Sequence, residues 1–390
     1  MTKDRSRSKR RAGFIAIAIA VAVLAGPLAW MAATSVPPGT TRTYYMAADE
    51  VEWDYAPLGY NGISGEPFGD HEDVFVENTA YSIGSTYVKA LYREYTDGTF
   101  TTLKPVPPAW AHLGTLGPLI RAAVGDTIVV VFKNNARFPF SVHPHGVFYL
   151  KDSEGAPYAD GTTLKADDLV GPGQTHTYTW PVPERAGPGP MDGSSILWMY
   201  HSHVDEPGDT NAGLIGSMII ARRGSAAPDA VPMDVDREFV TMFTVFDENR
   251  SPYLRQNIET YVIAKWWPKM SPSNRESFIE DLMEDDAFVE SNLMHSINGY
   301  VFGNLPGLVM DRFERVRWYL LGMGTEVDLH TPHWHGQTVV VMGMRTDIAE
   351  LLPASMKIAD MVPDNVGTWL YHCHVNDHID AGMLATFTVR

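Results

Sequence analysis

The chain has 390 residues, of which 45% are hydrophobic, 20% charged and 11% aromatic. This length is typical of two or three domains, and the composition is that of a folded protein and excludes a disordered one. The formal net charge of −17 argues against nucleic acid as a partner, because phosphate backbones are bound by concentrated lysine and arginine. The single cysteine excludes an intrachain disulfide, a thiol-pair redox motif and a cysteine-rich zinc site.

Residues 1–41 are predicted to lie outside the fold and to direct the chain across a membrane. Six basic residues and one acidic residue precede Gly13 and give this end a charge of 6 − 1 = +5. An uninterrupted apolar run follows from Gly13 to Ala33, and a basic end before such a run is typical of an export signal or a signal-anchor. The run is long enough to span a bilayer, so a retained anchor and a cleaved signal both stay open. In both cases we expect the remainder to be extracytoplasmic, either secreted or membrane-anchored.

The sequence after residue 41 predicts many short strands separated by Gly and Pro turns. A first series includes two apolar runs within residues 117–133, then residues 176–180 and 214–221. Residues 223–236 lose this periodicity and gain Pro, Ala and Ser, which predicts a linker. A second series begins at residue 238 and closes the chain with strands at 316–321, 338–342, 368–372 and 384–389.

One helical stretch interrupts the second series. Ser273 and Glu276 have the spacing of a capping box, and Phe278, Ile279 and Leu282 mark one apolar face. The sequence therefore predicts an all-β protein of two Greek-key barrel or sandwich domains, with a short helical insertion in the second. The predicted domains are residues 42–222 and 237–390.

Ten of the 14 histidines lie in four short clusters, and the clusters repeat between the two halves. The first half has H-P-H-G at 143–146 and H-S-H at 201–203; the second has H-T-P-H-W-H-G at 330–336 and H-C-H at 372–374 with His378 following. Alternate residues of a strand point to the same face, so each H-x-H presents two imidazoles side by side. Eight imidazoles in four pairs exceed the needs of one metal ion and suit a cluster of several.

The remaining candidate ligands are different in kind. His330, Cys373, His378 and Met383 supply two imidazoles, one thiolate and one thioether. A His₂Cys group with a weak axial Met is the ligand set of an electron-transferring blue-copper site. A lone cysteine is by itself more simply a buried apolar side chain, but inside H-C-H-x3-H-x4-M metal binding explains it better.

Together the four motifs resemble the copper-binding motifs of the multicopper oxidases. Stretches such as FTVFDENRSPYL (243–254) and GMGTEVDLHTPHWHG (322–336) resemble the ceruloplasmin and hephaestin branch. The resemblance covers about residues 42–390. It implies two cupredoxin domains, three types of copper with four ions per chain, and the four-electron reduction of dioxygen to water.

The resemblance also implies a role for each ligand. The type 1 copper would be bound by His330, Cys373, His378 and Met383. The type 2 copper would be bound by His143 and His333. The type 3 pair would be bound by His145, His201, His203, His335, His372 and His374. Because Cys373 lies between His372 and His374, a short covalent path would lead from the electron-accepting sulfur to the oxygen-reducing cluster.

The first half departs from the type 1 pattern. Ser202 stands where the thiolate would be, and Phe140 stands where the outer histidine would be. The two positions that would hold the other type 1 ligands are Pro207 and Ala212, neither of which binds metal. The first domain is therefore expected to hold no type 1 copper.

The ligand split has a consequence for assembly. Each half offers four cluster histidines, so neither half can build the cluster alone. In the two-domain oxidases that this chain resembles, domain 1 of one subunit faces domain 2 of the next, which implies a cyclic homotrimer with three interfacial clusters. An intrachain cluster in a monomer is the alternative.

The reductant is predicted from a second set of residues. Glu290, His295, Asp377 and Glu326 match, by their offsets from the motifs, an iron site of the ceruloplasmin branch. Three carboxylates and one imidazole form a hard, anionic pocket suited to Fe²⁺. Glu326 would come from the adjacent subunit. Because carboxylates are mostly surface residues, ordinary solvated acids are the alternative interpretation.

Three classes of function stay open. The leading hypothesis is an oxygen-reducing copper oxidase, either ferroxidase-like with Fe²⁺ or laccase-like with a small phenol. A copper nitrite reductase is less favoured, because it needs only three histidines at its catalytic copper and carries its type 1 site in the first domain, where this chain has Ser202. A non-enzymatic copper carrier need not keep the complete ligand set that this chain keeps.

Overall fold

The computed structural model describes residues 39–390. The predicted export or anchor segment, Gly13–Ala33, lies outside the described residues. Within residues 39–390, no helix is long and apolar enough to cross a membrane. The mostly β architecture confirms the predicted all-β class.

The strands divide at residues 222–236, and we refer to residues 39–222 as the first half and residues 237–390 as the second half. The first half contains the strands β1 (Thr41–Asp54), β2 (Thr86–Tyr95), β3 (Gly117–Ala123), β4 (Thr127–Asn134), β5 (His143–Pro144), β6 (Thr175–Pro181), β7 (Ser195–His201) and β8 (Ile215–Ala221). The second half contains β9 (Arg237–Asp247), β10 (Leu293–Ile297), β11 (Val309–Met310), β12 (Val316–Gly322), β13 (Pro332–Trp334), β14 (Val339–Val341), β15 (Met344–Thr346), β16 (Met356–Met361), β17 (Gly367–Cys373) and β18 (Leu384–Val389).

Short helices connect these strands. The α-helices are α1 (Asp70–Val76), α2 (Glu206–Ala212), α3 (Leu254–Asn257), α4 (Ala264–Trp266), α5 (Pro272–Met283), α6 (Asp286–Ser291) and α7 (Asn376–Asp380). A π-helix at Ile258–Ile263 joins α3 to α4. Three 3₁₀ helices lie at Pro108–Leu113, Glu184–Ala186 and Glu248–Arg250.

Each half is a sandwich of two sheets. In the first half the strand orders are β2-β1-β4-β6 and β3-β8-β7-β5, and in the second half they are β10-β9-β12-β16-β14-β15 and β11-β18-β17-β13. Strand β4 shows why these segments are strands, because its residues alternate strictly between buried and partly exposed positions. Its inward side chains Ile128, Val130 and Phe132 fill the first-half core, as a period of two requires.

A third hydrophobic core joins the two halves. Strand β9 is buried along almost its whole length because both of its faces are covered. Phe239 and Phe243 point into the second-half core, whereas Val240 and Met242 point into the core between the halves. A strand that is buried on both faces has a nearly continuous apolar sequence, and in β9 only two threonines interrupt the apolar residues from 239 to 246.

The helical insertion is larger than the sequence predicts, because residues 254–291 contain the helices α3 to α6. The predicted cap at Ser273 is wrong. Pro272 occupies the first helical position, so Ser271 is the N-cap and its hydroxyl accepts a hydrogen bond from the Asn274 backbone N–H at 3.3 Å. Glu276 pairs instead with Arg255.

One buried histidine in the core between the halves predicts a pH dependence of stability. Burial lowers the pKa of His112 to about 4, and its Nε2 accepts a hydrogen bond from the Val240 backbone N–H at 3.2 Å. In the unfolded chain His112 takes up a proton near its ordinary pKa. In the folded chain it stays neutral until the pH falls to about 4. Lowering the pH from 7 to 5 therefore removes about 2 kcal/mol of folding free energy through this residue.

Urea unfolding at the two pH values measures this effect against His112→Gln, which keeps an acceptor for the Val240 N–H but does not titrate. We expect the stability of the wild type to fall more steeply with acidification than that of the variant. Equal losses in the two proteins would show that His112 is not the group responsible.

Candidate metal centres

Four histidines of the first half form one cluster, the first quartet: His143, His145, His201 and His203. Strand pairing positions them, since His143 lies opposite His201 in the antiparallel pair β5–β7. The ring centroids within the quartet are 5.2–5.6 Å apart. The Nε2 atoms of His145 and His201 are 3.1 Å apart. The two H-x-H motifs of the first half therefore converge, because strand pairing brings them together.

Four histidines of the second half form an equivalent cluster, the second quartet: His333, His335, His372 and His374. His333 lies opposite His372 in the pair β13–β17, which repeats the register of the first half. The ring centroids are 4.6–5.6 Å apart, and the Nε2 atoms of His335 and His372 are 2.9 Å apart. His333, His335 and His372 bring their ligand nitrogens within 4.8 Å of one another.

A glycine follows the first H-x-H motif of each half, and it has the same role in both halves. Gly146 and Gly336 have φ angles of +76° and +66°, a backbone region that favours glycine. A Cβ atom at Gly146 would lie 2.2 Å from the Trp198 ring, and one at Gly336 would lie 2.6 Å from the Trp369 ring. A larger residue would therefore displace the adjoining histidines.

Hydrogen bonds to the backbone orient several rings. The Nδ1–H groups of His143, His201 and His372 donate to the carbonyl oxygens of Glu154, Ser202 and Cys373 at 2.6, 3.0 and 2.6 Å. These bonds fix the tautomer and leave Nε2 of each ring as a bare acceptor that faces its quartet. Such backbone contacts are the usual outer support of metal-binding histidines.

Burial keeps these rings neutral at pH 7. It lowers the pKa of His145 and His201 to about 4 and also lowers the pKa of His143, His333 and His372. A neutral imidazole is the form that binds a metal ion. In addition, Nδ1 of His333 is buried with no hydrogen-bond partner among the described residues. Bare nitrogens that face one another at these distances fit the copper that the donor set implies.

A third group lies beside the second quartet. His330, Cys373 and His378 bring their ligand atoms within 4.8 Å, with Nδ1 of the two histidines 3.2 Å apart and Sγ of Cys373 3.6 Å from Nδ1 of His378. Nε2–H of His330 donates to the Met323 carbonyl at 2.8 Å and leaves its Nδ1 free. We call these three residues the thiolate group.

The surroundings of the sulfur are those of a buried ligand. The backbone N–H of Thr331 donates to Sγ of Cys373 at 3.4 Å. Burial raises the pKa of the Cys373 thiol, so the sulfur is protonated until a metal ion displaces the proton. Met383 is fully buried, its carbonyl accepts from the Cys373 N–H at 3.1 Å, and its N–H donates to the His378 carbonyl at 2.8 Å.

The corresponding position of the first half holds a hydrogen-bond network. The Ser202 hydroxyl donates to Asp209 at 2.6 Å and accepts from the Ser141 backbone N–H at 3.0 Å. Phe140 is buried where a second imidazole would stand. Burial raises the pKa of Asp209 to about 6. The oxygen atoms of this site are engaged in hydrogen bonds with one another, and the site contains no sulfur. Its chemistry therefore does not suit a blue copper.

The four residues of the predicted iron site differ in their burial and in their position relative to the thiolate group. His295 is buried, and its ring centroid lies 5.3 Å from that of His378 in the thiolate group. Asp377 is exposed beside His378 at the start of α7, and its charge acts on both rings. Glu290 is exposed near the end of α6, five residues before His295. Glu326 is exposed on the loop before His330 and lines a separate cavity of about 180 Å³.

Sequence reasoning missed one acid in this region. Asp328 is buried two residues before His330, and its charge acts on His295, His330 and His378. Its carboxylate accepts hydrogen bonds from the N–H and the hydroxyl of Thr325 at 2.5 and 2.9 Å. Its spacing from the motif was the only available signal, since burial of an acid is not visible in a sequence.

Within residues 39–390, no ring of the first quartet contacts a ring of the second. Both quartets reach the surface: the side chain of His203 in the first quartet is 38% exposed, and His374 in the second quartet is also exposed. The single chain thus presents two separate half-sites.

The two sandwiches and the paired histidine groups define a copper protein of the cupredoxin type, with one group that contains a thiolate and two that contain only imidazoles. Two family profiles, both described as multicopper oxidase, match residues 98–225 and 279–390. The chain belongs to the multicopper oxidase family.

Several relatives are similar over most of this chain. Human hephaestin is 45% identical over 359 residues, human ferroxidase HEPHL1 is 45% identical over 354, and human ceruloplasmin is 41% identical over 363. These alignments cover 90%, 90% and 89% of this chain. They cover 30%, 29% and 30% of the relatives, so the chain spans less than a third of each.

Solved structures share the fold at low sequence identity. A multicopper oxidase crystal structure has a TM-score of 0.52 at 15% identity and covers 90% of this chain and 88% of its own. A copper nitrite reductase from Nitrosomonas europaea has a TM-score of 0.55 at 16% identity, over 90% of this chain and 94% of its own. These similarities confirm the cupredoxin architecture, and they do not distinguish between the activities of the two neighbours.

Proposed function

We propose that this chain is a copper-dependent oxidase that takes single electrons from a reductant at a type 1 site and reduces dioxygen to water at a trinuclear cluster. One observation carries this proposal: Cys373 belongs to the thiolate group, while its two neighbours His372 and His374 belong to the second quartet. Copper, when bound, would supply one-electron redox chemistry at both centres. The backbone of three consecutive residues joins the two centres.

The residues divide between the centres as follows. The thiolate group with Met383 would hold type 1 copper. His143 and His333, which have equivalent places in the two strand registers, would hold type 2 copper. The type 3 pair would be held by His145, His201, His203, His335, His372 and His374. This assignment uses four copper ions per chain and places one type 1 site in the proposed second domain (237–390) and none in the first (42–222).

The separation of the quartets supports a homotrimer. A cluster that needs both quartets forms when the first half of one subunit meets the second half of the next, and three such contacts close a ring. The apolar side chain of Phe148 lines the same surface cavity as His143 and His145 and is 40% exposed. Burying this side chain against another subunit would remove it and the cluster from water.

Iron is the reductant that the surroundings of the thiolate group favour. His295 packs against the ligand His378, and Asp328 and Asp377 place negative charge on both rings. Carboxylate oxygens and an imidazole suit Fe²⁺ and bind Fe³⁺ more tightly, which favours electron loss. These residues support a ferroxidase-like activity, and the similarity to the ferroxidase HEPHL1 agrees with it.

The variant Glu290→Ala/His295→Ala tests the function and the reductant together. The copper-loaded wild type should show an intense blue absorption and oxidise both Fe²⁺ and a phenol such as 2,6-dimethoxyphenol. Because the double variant loses iron ligands but no copper ligand, we expect its kcat/KM for Fe²⁺ to fall by about a hundredfold, with phenol oxidation retained. Steady-state rates with the two reductants measure this.

His71→Ala is a matched control, since His71 also contacts α7, through the Asp380 carbonyl at 2.9 Å, but is not an iron candidate. It should leave both rates unchanged. Equal loss of both activities in the double variant would contradict the iron site. A copper-loaded wild type with neither blue absorption nor oxygen consumption would contradict the oxidase itself.

Two other functions are less well supported. A laccase-like oxidase would need no iron ligands, yet His295 is buried against the thiolate group. A copper nitrite reductase would not need eight histidines, and its type 1 position in the first half holds the Ser202–Asp209 hydrogen bond. We further propose an extracytoplasmic location, from the sequence of residues 1–41.

A further inference from the structure

Buried aromatic side chains of the second half lie directly behind the two centres. Tyr371, two residues before Cys373, has its ring centroid 4.9 Å from that of Trp318 and 5.3 Å from that of Trp334. The two indoles are 5.7 Å apart. All three rings are fully buried, and Trp334 stands between His333 and His335 in the chain. This aromatic triad therefore adjoins both the thiolate group and the second quartet.

The aromatic contacts continue from the triad towards the first half. Phe239 packs against Trp318 at a centroid distance of 4.7 Å, and His112 packs against Phe239 at 5.3 Å. Trp110 then packs against His112 at 5.4 Å and is partly exposed. Rings in contact thus lead without a gap from the residue next to the copper ligands to the surface. We call this series, from Trp110 to Tyr371, the aromatic path.

The two indoles of the triad are unusual in their hydrogen bonding. The Nε1–H groups of Trp318 and Trp334 are buried and have no acceptor among the described residues. Buried tryptophans usually find one, as Trp180 does at the Ser153 carbonyl, 2.9 Å away. With no base beside it, an indole that loses an electron keeps its proton, so the electron can return without any proton movement.

The outer end of the path opens into a cavity. This cavity has a volume of about 720 Å³, and its walls include Trp53, Trp110, Tyr300, Leu116 and Arg121. The volume is in the range that small organic ligands occupy, and mostly apolar and aromatic walls are typical of such sites. The Arg121 guanidinium lies 5.2 Å from the Trp110 ring centroid, and its charge is paired with Glu238 at 2.8 Å.

The chemistry of the walls favours a neutral planar ring over a metal ion. The two carboxylates of the cavity are already engaged: Glu52 accepts from the Tyr261 hydroxyl at 2.8 Å, and Glu94 pairs with Lys104 at 2.8 Å. An aromatic ring, in contrast, gains from offset or edge contacts with Trp53, Trp110 and Tyr300. Among one-electron reductants, phenols combine such a ring with an easily oxidised hydroxyl.

We propose that this cavity is a second reductant site, which binds a phenol, and that the aromatic path carries the electron of the phenol to the thiolate group. The inference rests on the oxidase function proposed above. Each phenol gives up one electron and releases its hydroxyl proton to solvent, becoming a phenoxyl radical. The electron passes from Trp110 across His112 and Phe239 to Trp318 and Tyr371. Four such electrons, with four protons and one dioxygen, yield two waters.

The variant Trp110→Phe tests the path, because phenylalanine keeps the packing but is much harder to oxidise. Calorimetric titration of the metal-free protein with 2,6-dimethoxyphenol should show binding that the variant retains. In the copper-loaded protein without oxygen, bleaching of the blue absorption by the phenol should slow by about tenfold or more, whereas bleaching by Fe²⁺ should stay within about twofold.

Trp266→Phe is the matched control, since Trp266 is an exposed tryptophan that lies outside both the cavity and the aromatic path, and it should leave bleaching by both reductants unchanged. The proposal is overturned if the metal-free wild type does not bind the phenol, or if Trp110→Phe bleaches as fast as the wild type with both reductants. If neither reductant bleaches the wild type, the oxidase function fails instead.

Discussion

Replacing Cys373 with serine should abolish the intense blue absorption of the copper-loaded protein and lower oxygen consumption with Fe²⁺ by at least about a thousandfold. Cys373 supplies the only sulfur anion of the chain, and blue copper requires a thiolate ligand. The same residue joins the thiolate group to His372 and His374, so its loss removes both the electron acceptor and the shortest route onward. Absorption spectra, copper content and steady-state oxygen consumption measure the effect.

The first half provides the control for this prediction. Ser202→Cys adds a thiol at the equivalent place, but Phe140 and Pro207 stand where the two imidazoles would be, so no additional blue absorption should appear. Metal content separates the two explanations for a loss of activity: Cys373→Ser should lose one copper per chain and keep the other three. A serine variant that stays blue would show that the thiolate group does not hold type 1 copper.

The grouping of the histidines could be predicted in part from the sequence, because the spacing of residues along a strand determines which side chains share a face. Residues i and i+2 share a face of a strand, which predicts that each H-x-H motif presents two imidazoles together. Strand β7 ends at His201, so His203 lies just beyond the strand, yet the two ring centroids are 5.5 Å apart. Strand pairing brings the two motifs of each half together, and the same register occurs in both halves. The pairs His143–His201 and His333–His372 are the result.

Other features depended on long-range packing that spacing does not encode. The sequence pattern did not predict the strands β1 and β2. In β1 both faces are covered at Met46–Asp49, so the alternation of buried and exposed residues is interrupted there. Asp328 and His112 look like ordinary polar residues in the sequence, yet tertiary contacts bury both. The aromatic path is likewise assembled from residues 110, 239, 318 and 371, which only the folded chain brings together.

The proposed homotrimer predicts a second large effect, which is complementation between two inactive chains. His145→Ala destroys the first quartet and His335→Ala destroys the second, so each protein alone should keep its blue absorption and reduce almost no oxygen. In a cyclic trimer, however, each cluster combines the first half of one subunit with the second half of its neighbour. When equal amounts of the two variants mix at random, one subunit in two carries an intact first quartet and one in two carries an intact second quartet. About one quarter of the interfaces therefore combine two intact quartets.

Co-expression of the two variants, followed by isolation of all trimers and measurement of oxygen consumption, should therefore recover about one quarter of the wild-type activity per chain. Two variants of the same quartet, His145→Ala and His201→Ala, are the control, because no arrangement of these chains contains an intact first quartet and no activity should return. An intrachain cluster gives no recovery in either mixture, since every chain then carries its own damaged site. Recovery in the first mixture alone requires that the two quartets meet between subunits.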